Sequence, residues 1–121
     1  MTTILLLSTD LMDTSKVRGS AQAMGATVRT ARTSDALAKL ASELAPALVI
    51  VDLGNSDLNL ETLVSSLQEL PSRPRIVTFG SHVDVNALNA ARAAGCDLVL
   101  PRSAFFQHIE AELPNWVAPR P

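Results

Sequence analysis

The sequence predicts a three-layer α/β sandwich, five parallel strands covered by helices on both faces. Three observations carry that prediction. Four short runs, at residues 4–7, 48–51, 76–79 and 98–100, are apolar throughout apart from Thr78. Runs of this length without polar alternation suit strands buried on both sides. Segments with helical spacing separate the runs, and strict alternation of strand and helix calls for a parallel sheet with right-handed crossovers. A fifth segment, 27–31, mixes polar and apolar residues and reads as an edge strand. The strand order 2-1-3-4-5 places it at an edge.

Each helix has its own signals. Val17, Ala21 and Met24 share a face, with Gly25 as the stop. Leu37, Leu40, Ala41 and Leu44 form the second stripe, opened by Thr33 or Ser34 and closed by Pro46. Leu60, Leu63, Val64, Leu67 and Leu70 form the third, ended by Pro71. Asp84 caps a fourth helix carrying Val85, Leu88, Ala91 and Ala94, with Gly95 at its end. Ser103 is expected to cap a last helix that buries Phe106, Ile109 and Leu113 before Pro114.

The 121 residues fit one domain, 1–121, with a core at about 3–113 and a C-terminal tail at 114–121. A hydrophobic content of 47% against 18% charged residues excludes a disordered chain. Ten Lys and Arg against twelve Asp and Glu give a net charge of −2, with the cations scattered along the sequence. A nucleic-acid partner is therefore not expected. The single cysteine, Cys96, has no internal disulfide partner. Residues 1–10 hold four consecutive strong hydrophobes and no basic flank, so neither a signal peptide nor a membrane span is read there. The expectation is a cytoplasmic domain with no membrane partner.

In an open α/β sheet, ligands bind beyond the carboxyl ends of the strands. Those ends deliver Ser8, Thr9 and Asp10 from the first strand and Asp52 from the third. The fourth gives Gly80, Ser81 and His82, and the fifth gives Arg102 and Ser103. Asp52 follows four aliphatics directly, so its carboxylate must emerge at the sheet's end or be paired. It either serves a functional role or hydrogen-bonds the loop that follows, 53–56. Arg102 either meets an anion or pairs with Asp52, and the pair is the expectation. Ser81, His82 and Asp84 hold the letters of a hydrolase triad, but one short loop does not bring them into triad geometry. His82 with Asp52 lacks a third metal ligand. No glycine-rich phosphate cradle follows the first strand.

With Asp52 ending the third strand and 93–97 reading Ala-Ala-Gly-Cys-Asp after an Ala-rich helix, the chain resembles a known family over roughly residues 3–113. It is similar to the receiver domains of bacterial two-component response regulators, the CheY-like family, whose fold is flavodoxin-like. The resemblance implies that Asp52 stands where those proteins accept a phosphoryl group from a histidine kinase. It also implies departures. The two acidic positions that hold Mg²⁺ are Ser8 and Thr9, with Asp10 next along. The family's Thr or Ser falls at Gly80, beside Ser81. The family's Lys falls at Arg102 without gaps, or at Leu100 if Pro101 is matched to the family's Pro. The switch aromatic becomes Val99.

One carboxylate with two hydroxyls is a poor Mg²⁺ site, so no cofactor beyond weak Mg²⁺ binding is expected. Phosphoryl transfer depends on a metal and on preorganised donors. The resemblance is therefore to the degenerate, pseudo-receiver branch. The expected function is a stand-alone, phosphorylation-independent protein-interaction module in signal transduction, not an enzyme. The alternative is an atypical response regulator phosphorylated on Asp52. The partner is a signalling protein, and a homodimer is left open. Candidates for the interaction face are Val99, Phe105 and Trp116: the resemblance implies an output face at the fourth helix, fifth strand and fifth helix, and adjacent Phe105 and Phe106 cannot share one core seat. The other reading lays Trp116 over the domain's own surface.

Overall fold

The eight aliphatics at 4–7 and 48–51 are completely buried, and they lie side by side on adjacent interior strands of the sheet. The structure, a computed structural model, describes residues 2–119. Five strands, β1 (Thr3–Leu7), β2 (Thr27–Ala31), β3 (Leu48–Asp52), β4 (Arg75–Gly80) and β5 (Leu98–Pro101), alternate with five helices. The helices are α1 (Leu11–Ala23), α2 (Ser34–Leu44), α3 (Leu60–Gln68), α4 (Val85–Ala94) and α5 (Arg102–Val117). The sheet is wholly parallel in the order β2-β1-β3-β4-β5. The predicted topology is thus the observed one.

Alternate side chains of the central strands feed two cores, as the twofold period of a strand requires. Ile4, Leu6, Leu48, Ile50, Val77 and Phe79 pack against Val17 and Ala21 of α1 and Phe105, Ile109 and Leu113 of α5. Leu5, Leu7, Val49, Val51 and Ile76 meet Leu37 and Ala41 of α2 and Leu63, Val64 and Leu67 of α3. Asp10, Thr33, Asn59 and Asp84 each cap a helix by accepting a backbone N–H with the side chain. Gly95 ends α4 at φ 99°, a left-handed conformation that selects glycine.

The last third departs from expectation. β5 is half-buried along its whole length, because it forms the second edge of the sheet. α5 starts at Arg102, so Ser103 lies inside its first turn, and Pro101 at the cap position makes no side-chain hydrogen bond. The helix does not stop before Pro114 but runs through it to Val117. Pro114 itself is exposed and stands in the last turn of the helix, where its ring removes one backbone donor. The Arg75 guanidinium then donates from Nη1 to the carbonyls of Asn115 (2.7 Å), Trp116 (2.7 Å) and Ala118 (3.2 Å) at the C-terminal end of α5, where Asn115 also accepts from the Ala118 N–H. Residues 114–117 therefore continue α5, with Trp116 buried.

Phe105, not Phe106, takes the fully buried seat. Its ring stacks on Phe79 (centroids 4.6 Å apart) and on Trp116 (5.6 Å). Residues 105, 109, 113 and 116 and residues 106, 109 and 113 are both helical spacings, and only the start of α5 decides between them.

Candidate functional site

The ends of β1, β3, β4 and β5 bring Ser8, Asp52, Gly80 and Arg102 to one end of the sheet. The side chains do not converge as their positions promised. Ser8 is buried, and its Oγ accepts from the N–H of Asp10 at 3.1 Å. Thr9 is exposed. Asp10 directs a carboxylate oxygen to the N–H of Asp13, 2.9 Å away, as the cap of α1. Its charge is thereby committed to the positive end of its own helix.

Asp52 is half-buried and folds back on its own loop. Its Oδ1 accepts from the N–H of Gly54 at 2.9 Å. A side chain at 54 would press on that oxygen, since a Cβ would lie 3.3 Å from it. Burial raises the Asp52 carboxyl above its ordinary value, and neighbouring Asp13 and Asp10 push the same way. The Gly54 N–H and the charge of Arg102 oppose that rise.

The expected pair of Arg102 with Asp52 is not formed. Arg102 instead donates through Nη2 to Oδ1 of Asp13, in the first turn of α1. Asp13 is 1% exposed, whereas the Arg102 side chain is 44% exposed. Its guanidinium also lies over Phe79 (5.5 Å to the centroid) and Phe106 (5.3 Å). Asp13 wins the cation because it is the more deeply buried carboxylate and has most to lose if unpaired. The second oxygen of Asp13, Oδ2, is buried without a hydrogen-bond partner.

Gly80 lies at the position where the resemblance places a Thr or Ser. The space above it belongs to Leu53, whose Cβ and Cδ1 would each be 3.2 Å from a Cβ at position 80. Ser81 points into its own turn, where its Oγ is 3.4 Å from the N–H of Val83. Asp84 caps α4, and His82 is exposed.

Sequence reasoning missed three features here. Asp13 reads in sequence as an ordinary acidic residue of a first helical turn, with nothing to mark it as buried. The loop after Asp52 is fastened to the β2–α2 connection by the buried side chains of Asn55 and Ser34. Asn55 Nδ2 donates to the Arg32 carbonyl (3.3 Å), while Ser34 Oγ accepts from Asn59 N–H (2.8 Å) and donates to the Asp57 carbonyl (3.3 Å). Leu11, Met12, Val83 and Val85, on the loops and helix starts at this end, are the large apolar residues that stand exposed among the described residues. Phe105 and Trp116, by contrast, are not an interaction face, being fully buried and 6% exposed respectively. Trp116 lies against the domain itself. Val99 is half-buried.

The donor set does not fit Mg²⁺. Two of the three positions after β1 are a buried hydroxyl and an exposed one, the third is the carboxylate of Asp10, which caps a helix, and Asp13 is held by a guanidinium. Octahedral Mg²⁺ wants carboxylate oxygens that are free to turn toward it. Among the described residues, no three His, Cys, Asp or Glu side chains group as metal ligands. Nor is any described helix long and apolar enough to cross a membrane.

No family model and no curated protein matches the sequence. Solved structures do match. A response regulator from Hahella chejuensis superposes with a TM-score of 0.84 at 17% identity, over 96% of this chain and 95% of that one. A response regulator from Thermotoga maritima gives 0.76 at 14% identity, over 97% and 98%. The phosphorylated cyanobacterial phytochrome response regulator RcpA gives 0.75 at 15% identity, over 97% and 95%. Strand order, helix placement and near-complete mutual coverage agree: the chain has the CheY-like fold of response-regulator receiver domains.

Proposed function

We propose that this chain is a phosphorylation-independent pseudo-receiver, a protein-interaction module of bacterial signal transduction that acts in the cytoplasm without enzymatic activity or a resident metal. The observation that carries the reading is the engagement of Arg102 by Asp13. A receiver cation serves phosphoryl transfer by facing the acceptor carboxylate and neutralising charge as it develops. Here the cation is spent on a buried structural carboxylate, and the acceptor-position oxygen is bonded to Gly54. Leu53 over Gly80 supports the same reading, because it crowds the position where the resemblance expects a hydroxyl-bearing residue. The exposed Leu11, Met12, Val83 and Val85 support a role in binding a protein.

The experiment is an Mg²⁺ titration followed by amide NMR. The reading expects no saturable shifts at Ser8, Asp10, Asp52 or Arg102 below millimolar Mg²⁺. Saturable binding well below that level, lost in Asp52→Asn, would favour the alternative of a response regulator phosphorylated on Asp52.

A further inference from the structure

We infer that the outer edge of β2 is a docking site for an extended acidic peptide segment of a partner protein, which joins the sheet as a sixth strand. The backbone provides the first argument. Thr27 N–H donates to the Thr2 carbonyl and the Ala31 carbonyl accepts from Ser8 N–H, so these residues face β1. Alternation then turns the N–H and C=O groups of Val28 and Thr30 outward, at the free side of an edge strand.

Space provides the second argument. A cavity of about 240 Å³ opens beside this edge on the α1 face, between Arg18, Gln22 and Val28. Another of about 550 Å³ opens on the α2 face, lined by Ala31, Arg32, Lys39 and Leu40. An added strand points successive side chains to opposite faces, so both cavities are used at once.

Charge selects the occupant. The cations look scattered in sequence, but the fold gathers Arg18, Arg29, Arg32 and Lys39 around this one edge, all four exposed. Residues 16–39 hold five Lys and Arg against the single acid Asp35, in a chain of net charge −2. Glu43 is the one acid in the lining of the two cavities. A second copy pairing edge to edge would bring these cations against their own kind, which is unfavourable. A nucleic acid would leave the outward N–H and C=O groups of the strand unmatched. It would also find no aromatic to stack on, because Phe79, Phe105, Phe106 and Trp116 cluster together away from this edge. This surface is separate from the Asp52 end of the sheet, and the inference does not rest on the phosphorylation reading.

The test uses the full chain and a fluorescent ten-residue peptide of alternating Val and Glu, read by anisotropy at low salt and by amide NMR. The expected result is saturable binding with shifts concentrated at Val28 and Thr30. The Val–Lys peptide and the Val–Glu peptide N-methylated throughout should not bind. The double variant Arg29→Glu/Arg32→Glu, with both changes on exposed positions, should weaken binding about tenfold or more while leaving the circular dichroism unchanged. Absence of saturable binding overturns the inference, as does equal binding of the N-methylated peptide. Tighter binding of a ten-nucleotide single strand, or a dimer that Arg29→Glu strengthens, overturns it as well.

Discussion

The guanidinium of Arg102 is held by Asp13, a residue of α1, and the pair ties the start of α5 to the start of α1. Its two partners are unequal, because Asp13 is buried and Arg102 is nearly half exposed. Removing Arg102 strands a carboxylate in the interior, whereas removing Asp13 releases a cation that can turn to water. Arg102→Ala should therefore cost about 3 kcal/mol and Asp13→Asn only about 1–2 kcal/mol in urea unfolding at pH 7. Equal costs at neutral pH would mean that the pair is a surface contact.

Leu53 and Gly80 make a second coupled pair. Gly80→Thr restores the residue type that the resemblance expects, but it drives a branched side chain into Leu53. A cost of about 1–3 kcal/mol is expected for this overpacking. Adding Leu53→Ala should recover about 1 kcal/mol or more of it, and a double-mutant cycle measures that coupling. Strict additivity would show that Leu53 moves aside freely.

Asp52→Asn keeps an oxygen for the Gly54 N–H and removes a charge that burial disfavours. The native carboxyl is raised above its ordinary value of 3.8, so the folded state takes up its proton first. The contribution of Asp52 to stability thus falls as the pH rises from about 3.8 through the raised native value. Asp52→Asn should lack that fall and be as stable as the wild type, or slightly more so, at pH 7. Urea midpoints from pH 3.5 to 7 check this, and a loss of more than about 1 kcal/mol at pH 7 would reveal a native ion pair at Asp52.

Trp116 closes the aromatic stack on Phe105, and Arg75 secures the turn that carries it. The tryptophan emission should be blue-shifted and resistant to iodide quenching. Trp116→Ala should cost about 3 kcal/mol. Arg75→Ala should leave the sheet intact but red-shift the emission as the last turn of α5 frays. An emission typical of a solvent-exposed indole in the native protein would contradict this packing.

The fold was legible because its cause is local. Aliphatic runs such as 48–51 have no half-polar alternative, and Asp84 and Gly95 mark their helix with a cap at each end. The site was less legible because its decisive contacts cross the chain. Asp52 was found from its place after a buried run. Its failure to meet Arg102 depends on Asp13, distant in sequence and unremarkable in type. The seat of Phe105 likewise turns on a one-residue register of α5 that spacing alone does not decide. Basic residues that are dispersed in sequence come together only because β2 lies at an edge between α1 and α2.

Incubation with acetyl phosphate and Mg²⁺, followed by intact-mass analysis, tests the central claim most directly. With Arg102 committed to Asp13 and no fitting metal ligands beside Asp52, the wild-type mass should remain unchanged. An added phosphoryl mass on the wild type, acid-stable and base-labile and absent from Asp52→Asn, would contradict the account.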